Sequence, residues 1–338
     1  MKIKKSSYIQ FFIFLFFANS IHAQFFISKN NLFHLEIEPS FSYTNGTLTE
    51  SIYRSADKSK RISLLEWERK IFMYGAKVNT EYKNFFADFY ISASFPDAKS
   101  GEMHDSDWQN PYDYNMKTTY SVGTNYAKEN YDAAVSVGYK FKPAEFFFIA
   151  PKIQCQYMYD SFYRKKGAKG WYGQAESKFG SFDGKYHWWN EKEARKYPYT
   201  DPETGKTWTL AGIDYERQSF FTWAGISVSS QICKIGASID FLFSPFTYFY
   251  AEDRHHTGSG EDNIYHEIQY DFFSSFKLCL GISYEISRFF TITLSTNFFA
   301  SKNIKGDLYL DWEKLKTQPS GASFNSENIK IGCRIRFF

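Results

Sequence analysis

The chain has 338 residues, with 40 Lys or Arg, 37 Asp or Glu and 21% aromatics, including 26 Tyr and 37 Phe. Without the three lysines of the first 23 residues (Lys2, Lys4 and Lys5), 40 − 3 leaves 37 basic against 37 acidic groups, so nothing in the charge supports general nucleic-acid binding. So many aromatics with a negative mean hydropathy exclude an ordinary soluble enzyme and suit a transmembrane β-barrel, whose polar lumen dilutes an apolar outer face; a secreted β-sandwich is the alternative.

In chain order, residues 1–23 read as a signal peptide: a basic start, an apolar stretch from Ile9 to Phe17, and Ala23 at the cleavage point. That stretch is too short for a convincing membrane-spanning helix. Residues 24–338 are predicted to form one domain. Phe33, Leu35, Ile37, Phe41 and Tyr43 alternate with His34, Glu36, Glu38, Ser40 and Ser42. The same period of two returns at Phe276 to Glu285 and at Phe290 to Phe298. One apolar and one polar face per strand, repeated many times, predicts strands with lipid on one side and water or buried polar groups on the other. Closure removes the edges that hydrocarbon cannot tolerate.

Counting reversals gives ten strands. Short turns are predicted near Lys83-Asn84, Lys142-Pro143-Ala144, Ile232-Cys233-Lys234 and Ser287-Arg288. Longer polar loops are predicted near 55–60, 99–118, 166–206, 253–263 and 305–322. The fold class is therefore all-β: a ten-stranded antiparallel transmembrane β-barrel with long extracellular loops. An even count puts both ends in the periplasm. The last strand, Ile329 to Phe338, ends in aromatics, with Phe338 off the apolar parity. Asn45-Gly46-Thr47 spells a glycosylation sequon but is read as a turn. Cys155, Cys233, Cys279 and Cys333 are widely spaced and read as small fillers, not as a disulfide or zinc framework.

Two clusters carry chemistry. In Met103-His104-Asp105-Ser106-Asp107-Trp108, Asp105 and Asp107 are two residues apart; in an extended segment both face the same way. Carboxylates this close repel, so one holds its proton more tightly and the pair can hold a water. The bland reading is a solvated acidic loop. In Asp253-Arg254-His255, at the end of the seventh strand, a carboxylate two residues from an imidazole can fix its tautomer and stabilise the imidazolium. Each pattern is weak alone.

Together the two clusters resemble the omptin family of outer-membrane endopeptidases, in which a Met-x-Asp-x-Asp-Trp segment and an Asp-x-His at the end of strand seven occupy these places. Gly46-Thr47-Leu48, Leu65-Glu66-Trp67, Asn125-Tyr126-Ala127 and Tyr215 to Gly225 add diffuse similarity over nearly the whole chain after the signal. The resemblance implies peptide-bond hydrolysis by an activated water, without metal or covalent acyl-enzyme. His255 is the expected base, Asp253 its orienting partner, Asp105 the group holding the water from the opposite wall, and Asp107 the support of Asp105. Glu50 is expected in an acidic pocket for a basic residue before the cut. A second pocket acid of that family falls on Ala251, with Glu252 facing away, which relaxes the expected preference. Asp113 is a further candidate for substrate binding. The family's lipopolysaccharide-gripping cluster matches at Tyr157 but not at Gln218, beside which Arg217 stands. Arg164, Lys165, Lys166 and Lys169 offer anionic lipid head groups a basic cluster, or form a solvated loop. The expected partners are surface peptides or proteins and outer-membrane lipid, with the chain a monomer and its site facing the exterior. The competing readings are a non-proteolytic adhesin of the same descent and a small porin. An acid-optimum mechanism on the Asp105–Asp107 pair alone competes with the His255 mechanism.

Overall fold

Alternating segments become long antiparallel strands in the computed structural model, which describes residues 33–54, 59–110, 113, 115–172, 192, 194–256, 262–315 and 318–337. The export signal, Trp188-Trp189 and Phe338 lie outside the described residues. Ten strands build the wall. They are β1 (Phe33–Tyr53), β2 (Arg61–Glu68, continued by Ile71–Tyr82), β3 (Phe85–Ser94, continued by Ala98–Asp107), β4 (Thr119–Tyr139) and β5 (Phe147–Arg164). Then come β6 (Gly212–Ile232), β7 (Ile235–His256), β8 (Asp262–Asp271, continued by Ser275–Ser287), β9 (Phe290–Leu310) and β10 (Ser320–Phe337). Each pairs antiparallel with its sequence neighbours, and β10 returns to β1 through Leu35↔Phe337 to Ile52↔Ser320, closing the ring. Closure leaves no unpaired edge for hydrocarbon to meet.

At one end the strands are joined by tight turns, with Lys83 and Cys233 in the left-handed conformation at φ 55° and 53°. At the other end the strands run further than the polarity of the sequence predicts. The predicted loops at 99–118, 253–263 and 305–322 shrink because Ala98–Asp107, the end of β7 at His256 and the end of β9 at Leu310 are all hydrogen-bonded strand. Asp105 and Asp107 therefore stand on a strand, not in a loop. Part of the third loop is also strand: Lys169–Tyr172 pairs with β4 and with Arg195–Tyr197. Asn45-Gly46-Thr47 is not a turn either. It lies inside β1, where a Cβ on Gly46 would collide with the carbonyl oxygen of Asn325.

The lower wall is turned inside out relative to a soluble protein. Phe41, Phe72, Ile153, Phe241, Ile282 and Ile331 are exposed on its outside, while Glu38, Ser40, Ser42 and Asp88 are buried within. Inside, Lys330 and Arg334 bond Glu38, Lys77 bonds Asp88 and Lys152 bonds Asp240, around a polar cavity of about 660 Å³. Above the band the polarity reverses. Asp214, Glu216, Glu252 and Arg254 face outward from β6 and β7, where hydrocarbon would exclude charge, so this part stands clear of the membrane. Its interior holds an aromatic cluster together with buried charged groups, among them the Arg69–Asp160 ion pair at 2.7 Å. Trp67 stacks on Tyr215 at 5.3 Å, and Phe221, Trp223, Phe249, Phe299 and Phe324 pack edge and face at 4.8–5.7 Å. This aromatic plug crosses the barrel between the lower cavity and the upper rim. Cys155 and Cys233 are exposed, Cys279 and Cys333 half-buried, and all four are free thiols.

Candidate active site

The chemistry-bearing residues meet above the plug because of strand register. Directly opposed residues of an antiparallel pair share a face. Glu50, Leu65, Asp105 and Ser121 form one such row across β1 to β4. Arg164, Ile213 and His255 form another across β5 to β7. One step lower lie Phe162, Tyr215, Asp253 and Tyr265, and below them Arg217, Ala251 and Glu267.

On β3 the alternation turns Met103, fully buried, and then Asp105 and Asp107 inward, while His104 bonds Tyr120 Oη on the outer side at 2.8 Å. Ser121 Oγ donates to Asp105 Oδ2 at 3.5 Å, and Thr119 Oγ1 donates to Asp107 Oδ2. Arg164 Nη1 donates to Ser121 Oγ at 2.9 Å, so Ser121 ties the cation to Asp105. Burial and the neighbouring Asp107 charge push Asp105 up to about 7, against the opposing pull of Arg164 and His255.

On β7, Asp253 is 1% exposed and its Oδ2 lies 2.5 Å from His255 Nε2. Its Oδ1 is buried without a hydrogen-bond partner. Tyr265 meets the imidazole edge-on at 5.5 Å. Burial pulls His255 down, but the Asp253 charge and hydrogen bond, with Asp105 behind them, outweigh it and raise the imidazole to about 9. The charges of Asp105 and His255 act on each other across the cleft. A base with its orienting carboxylate thus faces a second carboxylate, an arrangement able to polarise a water and take its proton.

The family model for the omptin family matches residues 32–337. The chain belongs to the omptin family. Among solved structures, the outer membrane protease OmpT of Escherichia coli is similar at 13% identity and TM-score 0.73, over 91% of this chain and 99% of that one. The Pseudomonas aeruginosa outer membrane protein OprG, at 7% identity, covers 90% of this chain and 95% of that one with a TM-score of 0.33. No curated relative matches the sequence. Omptin membership, with the OmpT-like fold, supports an outer-membrane protease.

Within this omptin barrel Asp105 feels the charges of Asp107, Asp253 and His255, and Glu50 stands in the row of Asp105. Asp113 is not brought to them: it is exposed in the loop after β3, where its Oδ1 accepts from Asn115 N at 3.0 Å. Glu252 faces away, bonded to Arg254, and His256 bonds Asp262 and Asp214 on the outer side. Arg164 corrects the reading of a lipid-facing basic cluster. Only 4% exposed, it points into the cleft, because it shares the inward parity of Asp160 and Phe162. Arg217 is likewise inward, 1% exposed, while Gln218 and Tyr157 face out. The sequence reading also missed Glu267, fully buried beside Ala251. Its parity with Tyr265 and Gln269 was the available signal.

Proposed function

We propose that this protein is an endopeptidase of the outer membrane that hydrolyses exposed peptide segments with a water held between His255 and Asp105. The observation that carries this reading is the Asp253–His255 pair, bonded at 2.5 Å and facing a second carboxylate on the opposite wall. In the reacting state His255 is neutral. It removes a proton from the water as the oxygen attacks the peptide carbonyl, and Asp253 stabilises the imidazolium that forms. Asp105 anchors the water, and Asp107 keeps Asp105 in place. The imidazolium then returns the proton to the departing amine. Glu50 lies in a buried acidic region beside the dyad, which favours substrates with a basic residue before the cut. The mouth faces the exterior.

Cleavage-site profiling with a peptide library, on protein folded in native-like lipid, tests this. Wild type should cut after basic residues, and His255→Ala should cut nothing while keeping its barrel. If wild type cuts no peptide, the barrel is a surface-binding protein and the hydrolytic reading fails.

A further inference from the structure

Arg164, the last residue of β5, is a charged group of the cleft to which the hydrolytic reading gives no task. Its parity with Phe162 turns it inward, and it is almost wholly buried. Its aliphatic stem crosses Gly123 of β4, where a Cβ would lie 2.8 Å from Arg164 Cδ and 2.8 Å from Ala168 Cβ; the glycine keeps that passage open. Among the described residues, Nη1 donates to Ser121 Oγ at 2.9 Å and to Met103 Sδ at 3.0 Å, and Nη2 donates to Ala211 O at 3.3 Å. Ser121 Oγ in turn donates to Asp105 Oδ2 at 3.5 Å. The guanidinium thus clasps β3, β4 and the chain entering β6, and reaches one carboxylate through a single hydroxyl.

A buried cation is costly unless acids surround it, and here they do. Around Asp105 stand Asp107 on its own strand, Glu50 from β1, Arg164 from β5, and Asp253 and His255 from β7. Around His255 stand Asp253, Asp105 and Arg164, with Tyr265 edge-on from β8. Tyr215 from β6 feels Asp253, and Tyr172 from the short strand Lys169–Tyr172 feels Asp107. Burial and Asp107 hold a proton on Asp105; of the two cations that draw it off, Arg164 acts more strongly than His255. In the resting cleft both cations act. In the reacting state His255 has to be neutral to accept a proton from the water, so its pull is gone and that of Arg164 remains. A protonated Asp105 would present the water with a donor where the reaction needs an acceptor.

We propose that Arg164 is a positioning residue of the hydrolytic site: through Ser121 it fixes the Asp105 carboxylate, and as a cation that stays when His255 gives up its charge it keeps that carboxylate an acceptor for the water. The proposal rests on the endopeptidase reading and deepens it. Arg164 touches neither substrate nor water; it acts through Asp105. Its charge also opposes protonation of His255, so one guanidinium eases proton loss from both walls of the cleft. A clasp that served the strands alone would need the three hydrogen bonds but not the charge. The two roles therefore separate by experiment.

The experiment uses the full chain in lipid and two readouts. Cleavage of one peptide from about pH 6 to 11 gives kcat, KM and the His255 limb. Imidazole NMR, with the His255 signal assigned by its loss in His255→Ala, follows the same group without turnover. Arg164→Met should lower the plateau kcat about 10²-fold with KM within about threefold. It should also move the limb and the imidazole titration alkaline by about half a pH unit or more, because Asp105 and His255 both then hold their protons more tightly. That direction is opposite to the one expected of Asp253→Asn. Ser121→Ala, which keeps the cation and cuts the tether, should lower kcat about tenfold and leave the limb in place. Added to Asp105→Asn, Arg164→Met should cost less than about threefold further in kcat, since the group it acts through is gone. Arg164→Gln, neutral but still a donor, gives the same alkaline shift should Arg164→Met not fold. A limb and imidazole titration that stay put or move acidward in the neutral variants, or penalties that multiply in the double variant, overturn the proposal; cleavage by wild type then leaves the endopeptidase reading intact. Failure of wild type to cut any peptide removes that reading, and the role of Arg164 with it.

Discussion

Replacing Asp253 by Asn isolates the electrostatic role of the dyad, because it keeps the size and removes the charge. In the folded protein His255 titrates at about 9 against an ordinary 6.5, a difference of 2.5, or roughly 300-fold in proton affinity. Burial acts downward on the imidazole, and Asp253 is the principal upward influence, by charge and by hydrogen bond. With a neutral amide in place of the carboxylate the balance reverses, and His255 should lose its proton at or below 6.5. A neutral base is required, so the wild-type rate should rise with pH until about 9 and fall away as the imidazole is protonated. In the variant that limb should move acidward by more than two pH units. Its plateau should drop by about 10²–10⁴-fold, since the amide neither holds the productive tautomer nor stabilises the imidazolium. The assay is kcat/KM for one good peptide from pH 5 to 10 on both proteins in the same lipid. A limb that stays put, or a plateau within threefold of wild type, refutes the assignment of His255 as base.

Other outcomes follow from the same geometry. Asp105→Asn should reduce kcat by about 10²-fold or more and shift the His255 limb acidward by less than Asp253→Asn does, because Asp105 is the weaker upward influence. Glu267 binds its proton more tightly folded than unfolded, so stability declines as pH rises from about 4.5 through about 8; Glu267→Gln should flatten that decline in urea titrations at pH 5 and 9. Trp223→Ala should cost about 3–5 kcal/mol in unfolding from lipid, since it empties the centre of the plug. Phe241→Arg on the lipid face should cost about 2–4 kcal/mol in liposome refolding if it lies near the midplane.

The strand count, the closure and the position of Asp253 and His255 at the end of the seventh strand were legible from alternation, because hydrocarbon imposes one polarity on every second residue. Legibility failed where that solvent stops. On β1 the outward apolar parity of Phe41 and Tyr43 gives way to inward Leu48 and Glu50, so polarity no longer reports the face. Asp105 and Asp107 then look like loop although they pair with Leu65 and Ser63. Arg164 reads as part of a basic surface run although parity carries it inward, away from exposed Lys165 and Lys166. Glu267 escaped notice because its partner Glu50 is 217 positions away in the chain; only the closed ring of strands makes them neighbours.

The girdle of rings formed by Phe221, Trp223, Phe249, Phe299 and Phe324 makes the cylinder a cul-de-sac. Whatever arrives at the cleft must depart by the same doorway, so severed fragments drift back to the compartment that supplied them and cannot be threaded through.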